Sequence, residues 1–176
     1  MTRLLRGGRV ARVGRFAVAL VGVLGGTLAL CWLAGTALPA ESVVKAETTV
    51  ALPRDALFRT LAAGATQAAW RRDIREVTAG PDGTFIERDE RGLTWWTKTT
   101  VAEAPQRLVV ELRTPAGERV AERSVTLVDA PPGTRVLLHL RTQHDSPLER
   151  FAALLMGGDA QEAAVYLDAV AALAPR

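Results

Sequence analysis

Few side chains in this sequence are of a kind that carries chemistry, and their spacing favours plain structural roles. The two histidines are His139 and His144. If Val136, Leu138 and Leu140 share one strand face, His139 points the other way with Arg135 and Arg141, a solvated position. His144 precedes Asp145 and Ser146 where a helix should begin, which suits a turn or cap. Glu87, Asp89, Glu90, Glu103 and Glu122 mingle with Arg88, Lys98 and Arg123, as charges do on the outer face of a strand. One of these carboxylates drawn inside would have its pKa raised by desolvation and could do acid/base work, but sequence alone does not say which. There is no HExxH, no cysteine pair and no three-ligand cluster, so no metal is expected. A nucleophile elbow, a P-loop and a dinucleotide fingerprint are absent too, so no cofactor is expected and no catalytic residue is assigned.

The elements that must position these groups are clearer. Ser146-Pro147-Leu148-Glu149 has the form of a capping box, with Pro147 at the first helical position. Leu148, Phe151, Ala152 and Leu155, then Tyr166, Leu167, Val170 and Leu173, recur at helical spacing. This predicts one long helix from Ser146 to Ala174. Gly157-Gly158-Asp159 is the weak point, where the helix kinks or gives way to a loop between two segments. Val43 to Leu52 reads as a strand and Arg54 to Ala63 as a helix with Leu57, Phe58 and Leu61 on its apolar side. A brief second helix leads to Trp70. About six strands follow between Ile74 and Gln143, joined by turns at Gly80-Pro81-Asp82-Gly83, Arg91-Gly92 and Ala130-Pro131-Pro132-Gly133. Short sequential strands make a curved antiparallel meander, and the terminal helix is the element large enough to cover it. A gap between helix and sheet is where a ligand would sit.

Ahead of that domain lie two different segments. Of 22 basic and 19 acidic residues, five arginines (3, 6, 9, 12 and 15) fall in the first 40 residues with no acid among them. The remainder is slightly acidic, which speaks against nucleic acid as a partner. Phe16 to Leu38 carries no charge. As a helix it would reach about 34 Å, enough for a hydrocarbon core of about 30 Å. The positive-inside rule puts the N-terminus in the cytoplasm and the domain outside. The expected organisation is a basic arm at 1–15, a transmembrane helix at 16–38, a linker at 39–42 and a folded domain at 43–176. A cleaved signal peptide is the rival, though its apolar core is usually shorter and Leu38 is bulky for the cleavage motif. Gly22 and Gly26 form a GxxxG that could support a weak helix dimer. The single cysteine, Cys31, excludes an internal disulfide.

From Val43 to Ala174 the chain resembles the START-like, or SRPBCC, superfamily of polyketide cyclases/dehydrases and lipid-transfer proteins. The resemblance rests on four signatures. They are Pro53-x4-Phe58 opening the first helix, Ala69-Trp70 before the second strand, Thr100-Val101-Ala102-Glu103-Ala104-Pro105-Gln106-Arg107-Leu108 as a strand-Pro-x-Arg-Leu hairpin, and the closing helix. It implies an α+β helix-grip fold, a curved antiparallel sheet wrapped around a long C-terminal helix. These signatures are structural and not catalytic.

Trp95 and Trp96 point to opposite faces, and a two-residue turn at Arg91-Gly92 sets Trp95 opposite Arg88 while a four-residue turn sets it opposite Ile86. With Trp95 inward, Thr97, Thr99 and Val101 follow it. The expected cavity lining is Trp70, Trp95, Thr97, Leu112, Leu138, Phe151 and Leu155. The expected function is binding of a hydrophobic or amphipathic small molecule, a lipid or polyketide-like compound, by a membrane-anchored domain. The alternatives are a cyclase/dehydratase-type enzyme using the same cavity, and a non-catalytic interaction domain whose cavity is filled by side chains.

Overall fold

A computed structural model describes residues 7–174, with side chains from Leu20 onward. The arginine arm and Phe16 to Ala19 of the uncharged run lie outside the described side chains. The chain divides into two compact units, Met1–Ala40 with Asp145–Leu155, and Glu41–His144 with Met156–Arg176.

In the first unit, helix α1 spans Gly7–Thr36. Leu20, Val21, Val23, Leu24, Leu28, Leu30 and Leu33 are all exposed on it, so from Leu20 onward it is apolar all round and not on one stripe. Among the described residues no helix is long and apolar enough to cross a membrane. Helix α4 spans Pro147–Met156, and the capping box forms as the sequence predicts. Glu149 N donates to Ser146 Oγ at 3.1 Å, and Ser146 N donates to Glu149 Oε2 at 3.2 Å. Gly35 lies against the Pro147 carbonyl with no room for a β-carbon.

The second unit is a seven-stranded antiparallel sheet with helices on its inner face. The strands are β1 (Glu41–Val50), β2 (Ile74–Ala79), β3 (Thr84–Asp89), β4 (Thr94–Glu103), β5 (Arg107–Arg113), β6 (Arg119–Ala130) and β7 (Gly133–Gln143), in the spatial order β1-β7-β6-β5-β4-β3-β2. Every strand from β2 to β7 pairs with its sequence neighbour, while β1 pairs with β7. Helices α2 (Arg54–Ala62) and α3 (Gln67–Trp70) connect β1 to β2. Helix α5 spans Gly158–Ala171.

Alternation writes the core directly. Val125 and Leu127 of β6 and Val136, Leu138 and Leu140 of β7 are buried on one face. Leu57, Phe58 and Leu61 of α2 pack against them, as do Ala163, Tyr166, Leu167 and Val170 of α5. That set on α5 has the spacing of a single helical stripe. His139 is exposed on the other sheet face.

The single closing helix does not form. Gly157 adopts φ 59, ψ 28, a left-handed conformation that ends α4, and α5 starts afresh at Gly158. Glycine accepts this conformation without the clash a β-carbon would bring, and two adjacent glycines weaken the helix there. Within the second unit, the helix packed on the sheet is α5.

The β3–β4 turn corrects both expected registers. Its loop is the three residues Glu90, Arg91 and Gly92, with Gly92 at φ 84. Asp89 and Leu93 close it, Asp89 N donating to the Leu93 carbonyl at 2.9 Å. Three-residue hairpins take glycine at the left-handed position for this reason. Trp95 consequently stands opposite Glu87, not Arg88 or Ile86. A bulge between Thr99 and Val101 then reverses the alternation, so Val101 pairs with Val109 and leaves the inner face.

Candidate ligand cleft

Between the sheet and α5 lies a cleft of about 510 Å³. Its apolar wall comes from Ile74, Trp95, Leu112, Val120, Ala121 and Val165. Its mouth carries Asp73, Asp89, Glu90, Arg91 and Glu162, and its floor Arg71, Glu87 and Arg123.

The floor is a network of buried charge. Arg71, Glu87 and Arg123 are each only 4% exposed. Arg71 follows α3 directly and turns inward before β2. Its guanidinium meets Asp73 as a fork, Nη2 to Oδ2 at 2.6 Å and Nε to Oδ1 at 3.3 Å, and its Nη1 reaches Glu87 Oε2 at 2.9 Å. The other Glu87 oxygen accepts from Thr97 Oγ1 at 3.2 Å. Burial alone would lower the Arg71 pKa, but Glu87 and Asp73 outweigh it and hold the guanidinium above its ordinary value.

Arg123 is held differently. Its guanidinium lies over the Tyr166 ring at 4.4 Å, with Arg71 at 5.6 Å from the same ring and Trp70 edge-on at 5.8 Å. Tyr166 therefore joins both cations through its π face. Burial pushes the Tyr166 phenol up, against the lowering influence of the two guanidiniums. A second, smaller space of about 20 Å³ is lined by Phe85, Glu87, Thr97, Val110, Arg123, Tyr166 and others, room for about one water molecule.

At the start of α5 a second polar contact fixes the helix. Asp159 accepts from the Ser42 hydroxyl at the head of β1 and meets His144 Nε2 at 3.0 Å just after β7. His144 thus ties the chain locally instead of entering the cleft.

Compared by sequence, the chain matches no protein-family model and no curated protein. Solved structures do match. The di-domain ARO/CYC BexL from the BE-7585A biosynthetic pathway is 12% identical with a TM-score of 0.58, over 78% of this chain and 51% of BexL. The chain thus spans about half of that protein. The protein MLL2253 from Mesorhizobium loti is 17% identical with a TM-score of 0.54, over 75% of this chain and 96% of that one. Protein Ms6760 from Mycobacterium smegmatis is 16% identical with a TM-score of 0.51, over 76% and 90%. The fold they share with this chain is a helix-grip, an antiparallel sheet around a closing helix. At these identities the likeness is one of fold alone, and the helix-grip by itself fixes no activity.

Within the helix-grip, the residues expected from sequence separate. Trp95 and Leu112 line the large cleft, and Thr97 lines the small space beside it. Leu138 is buried in the core at 1% exposure. Trp70 packs on Tyr166 with its Nε1 buried and without a partner among the described residues. Phe151 and Leu155 belong to α4, in the first unit.

Sequence reasoning assigned Glu87 and Arg123 to an outer strand face, and the structure puts both inside. The signal for Arg123 was present, because it shares alternation with Ala121, Val125 and Leu127, all buried. Glu87 was obscured by the turn length that sets the register. Arg71 gave no periodic signal, lying in the irregular stretch between α3 and β2.

Proposed function

We propose that this protein binds a hydrophobic or amphipathic small molecule in the cleft between its sheet and α5. The observation that carries the reading is the cleft itself. Its volume falls within the range of about 300–1,000 Å³ typical of small-molecule sites, and it joins apolar walls to a few convergent polar groups. Binding would remove the apolar part of the ligand from water, at about 25 cal/mol per Å² buried, while the floor orients its polar end. An interaction domain with a side-chain-filled interior is disfavoured by the open cleft. A cyclase/dehydratase-type reaction has one observation in its favour. Glu87 is a buried carboxylate facing the cleft, where acid/base chemistry would need one.

The reading extends to the N-terminal segment, which we propose tethers the cleft-bearing unit to a membrane, with the N-terminus cytoplasmic. Its support is the uncharged run from Phe16 to Leu38 behind five arginines and the unbroken helix to Thr36. A lipid-like ligand would then lie within reach.

Native mass spectrometry of the full chain from host membranes tests the cleft. The expected result is a discrete added mass of a few hundred daltons, lost in Ala121→Phe, where a ring fills the cleft from β6. A bare mass that persists after incubation with host lipid extract would overturn the reading.

A further inference from the structure

We infer that the ligand is an amphipathic anion, and that Arg123 is the group that takes its carboxylate. This rests on the cleft reading and adds the chemical class of what the cleft holds.

The argument is one of unequal pairing. Two guanidiniums and one carboxylate are fully buried at the floor. Arg71 has claimed that carboxylate, and Asp73 besides, through three hydrogen bonds. Arg123 has no comparable partner. Among the described residues its one side-chain hydrogen bond runs from Nη2 to Glu162 Oε1 at 3.5 Å, the limit for such a bond. Glu162 is itself 45% exposed at the mouth, so water weakens that pairing. Arg123 also lies over the Tyr166 face, which attracts a cation but accepts no in-plane N–H. A guanidinium can offer five donors in a rigid fork, and a single long bond leaves most of them available to a ligand. Arg123 lines the cleft and also the smaller space beside it. A carboxylate held in the cleft with Trp95 and Leu112 has that guanidinium in its lining, while its apolar body stays against the wall.

The chemistry discriminates between ligands. An alcohol of the same shape offers one neutral acceptor, whereas a carboxylate offers two charged ones matched to the fork. Phenylbutyrate and phenylbutanol make that comparison at neutral pH, by calorimetry on the full chain held in an amphipol. The carboxylate is expected to bind about tenfold to a hundredfold more tightly. In Arg123→Gln the ratio of the two affinities should fall to about one, with folding checked by circular dichroism. Should that variant fail to fold, Glu162→Gln gives an independent reading. It removes the competing carboxylate from an exposed position, and the ratio should rise.

Equal affinities in the native chain, or an unchanged ratio in folded Arg123→Gln, would overturn the inference and leave the cleft standing. A ratio that does not rise in Glu162→Gln would count against it as well. If neither compound binds, the cleft reading itself falls, and the inference with it.

Discussion

Tyr166 is the only tyrosine in the chain, and it lies between the two guanidiniums of the cleft floor, 3% exposed. Its buried phenol holds its proton above the ordinary value of 10.0. The sign of the consequence follows from linkage. The folded state keeps a proton that the unfolded chain gives up, so the stability involved is complete below about pH 10 and is lost as pH rises through the folded value. A spectrophotometric titration of the tyrosinate band therefore reads one residue. The midpoint should lie above that of the same chain in denaturant, and coinciding midpoints would mean that the ring is open to water. Tyr166 was legible in sequence as part of a helical stripe. Its partners were not, because pairing between Arg71 and Glu87 depends on two backbone irregularities that composition does not encode.

At the level of elements, local chemistry was legible wherever one or two residues decide it. The Ser146–Glu149 box, the start of α2 after Pro53 and the alternation of β6 and β7 all depend on nearest neighbours. The hairpin register and the break between α4 and α5 depend on glycine conformations, which a sequence permits without dictating. Gly157 and Gly158 provide a test with opposite signs. A β-carbon would meet nothing within 4 Å at either position, so packing cancels out. Gly157→Ala forces alanine into a left-handed conformation and should destabilise by about 1–2 kcal/mol. Gly158→Ala sits at a helical position and should stabilise by up to about 1 kcal/mol. Denaturant midpoints of the two variants should move in opposite directions. A stabilising Gly157→Ala would mean that α4 and α5 can merge.

At the scale of the whole molecule, the order of elements up to the closing helix and the meander from β2 to β7 could be read from the chain, because each of those turns joins neighbours. The composition could be read as well, since the basic excess belongs to the N-terminal arm. What could not be read was the division into two units, with Asp145–Leu155 grouped away from the sheet. Tethering is tested at this scale. The full chain should remain with membranes after alkaline carbonate washing, and a chain begun at Glu41 should fractionate as a soluble monomer. A full chain released by the wash would remove the tether from the proposal.

The one pairing between strands distant in sequence has a consequence for how the protein is made. Glu41 meets Gln143 and Val50 meets Thr134, so β1 leaves the ribosome first and its sole neighbour in the sheet emerges last of all the strands. At about 5–20 residues per second, translation keeps β1 waiting for several seconds or longer. The hairpins from β2 onward can close as they appear, since each joins neighbours and closes a short loop. Until β7 arrives, the apolar side of β1, with Val44, Ala46 and Val50, has no sheet to join. For that interval β1 is an unpaired strand with an apolar side, the kind of segment most prone to association.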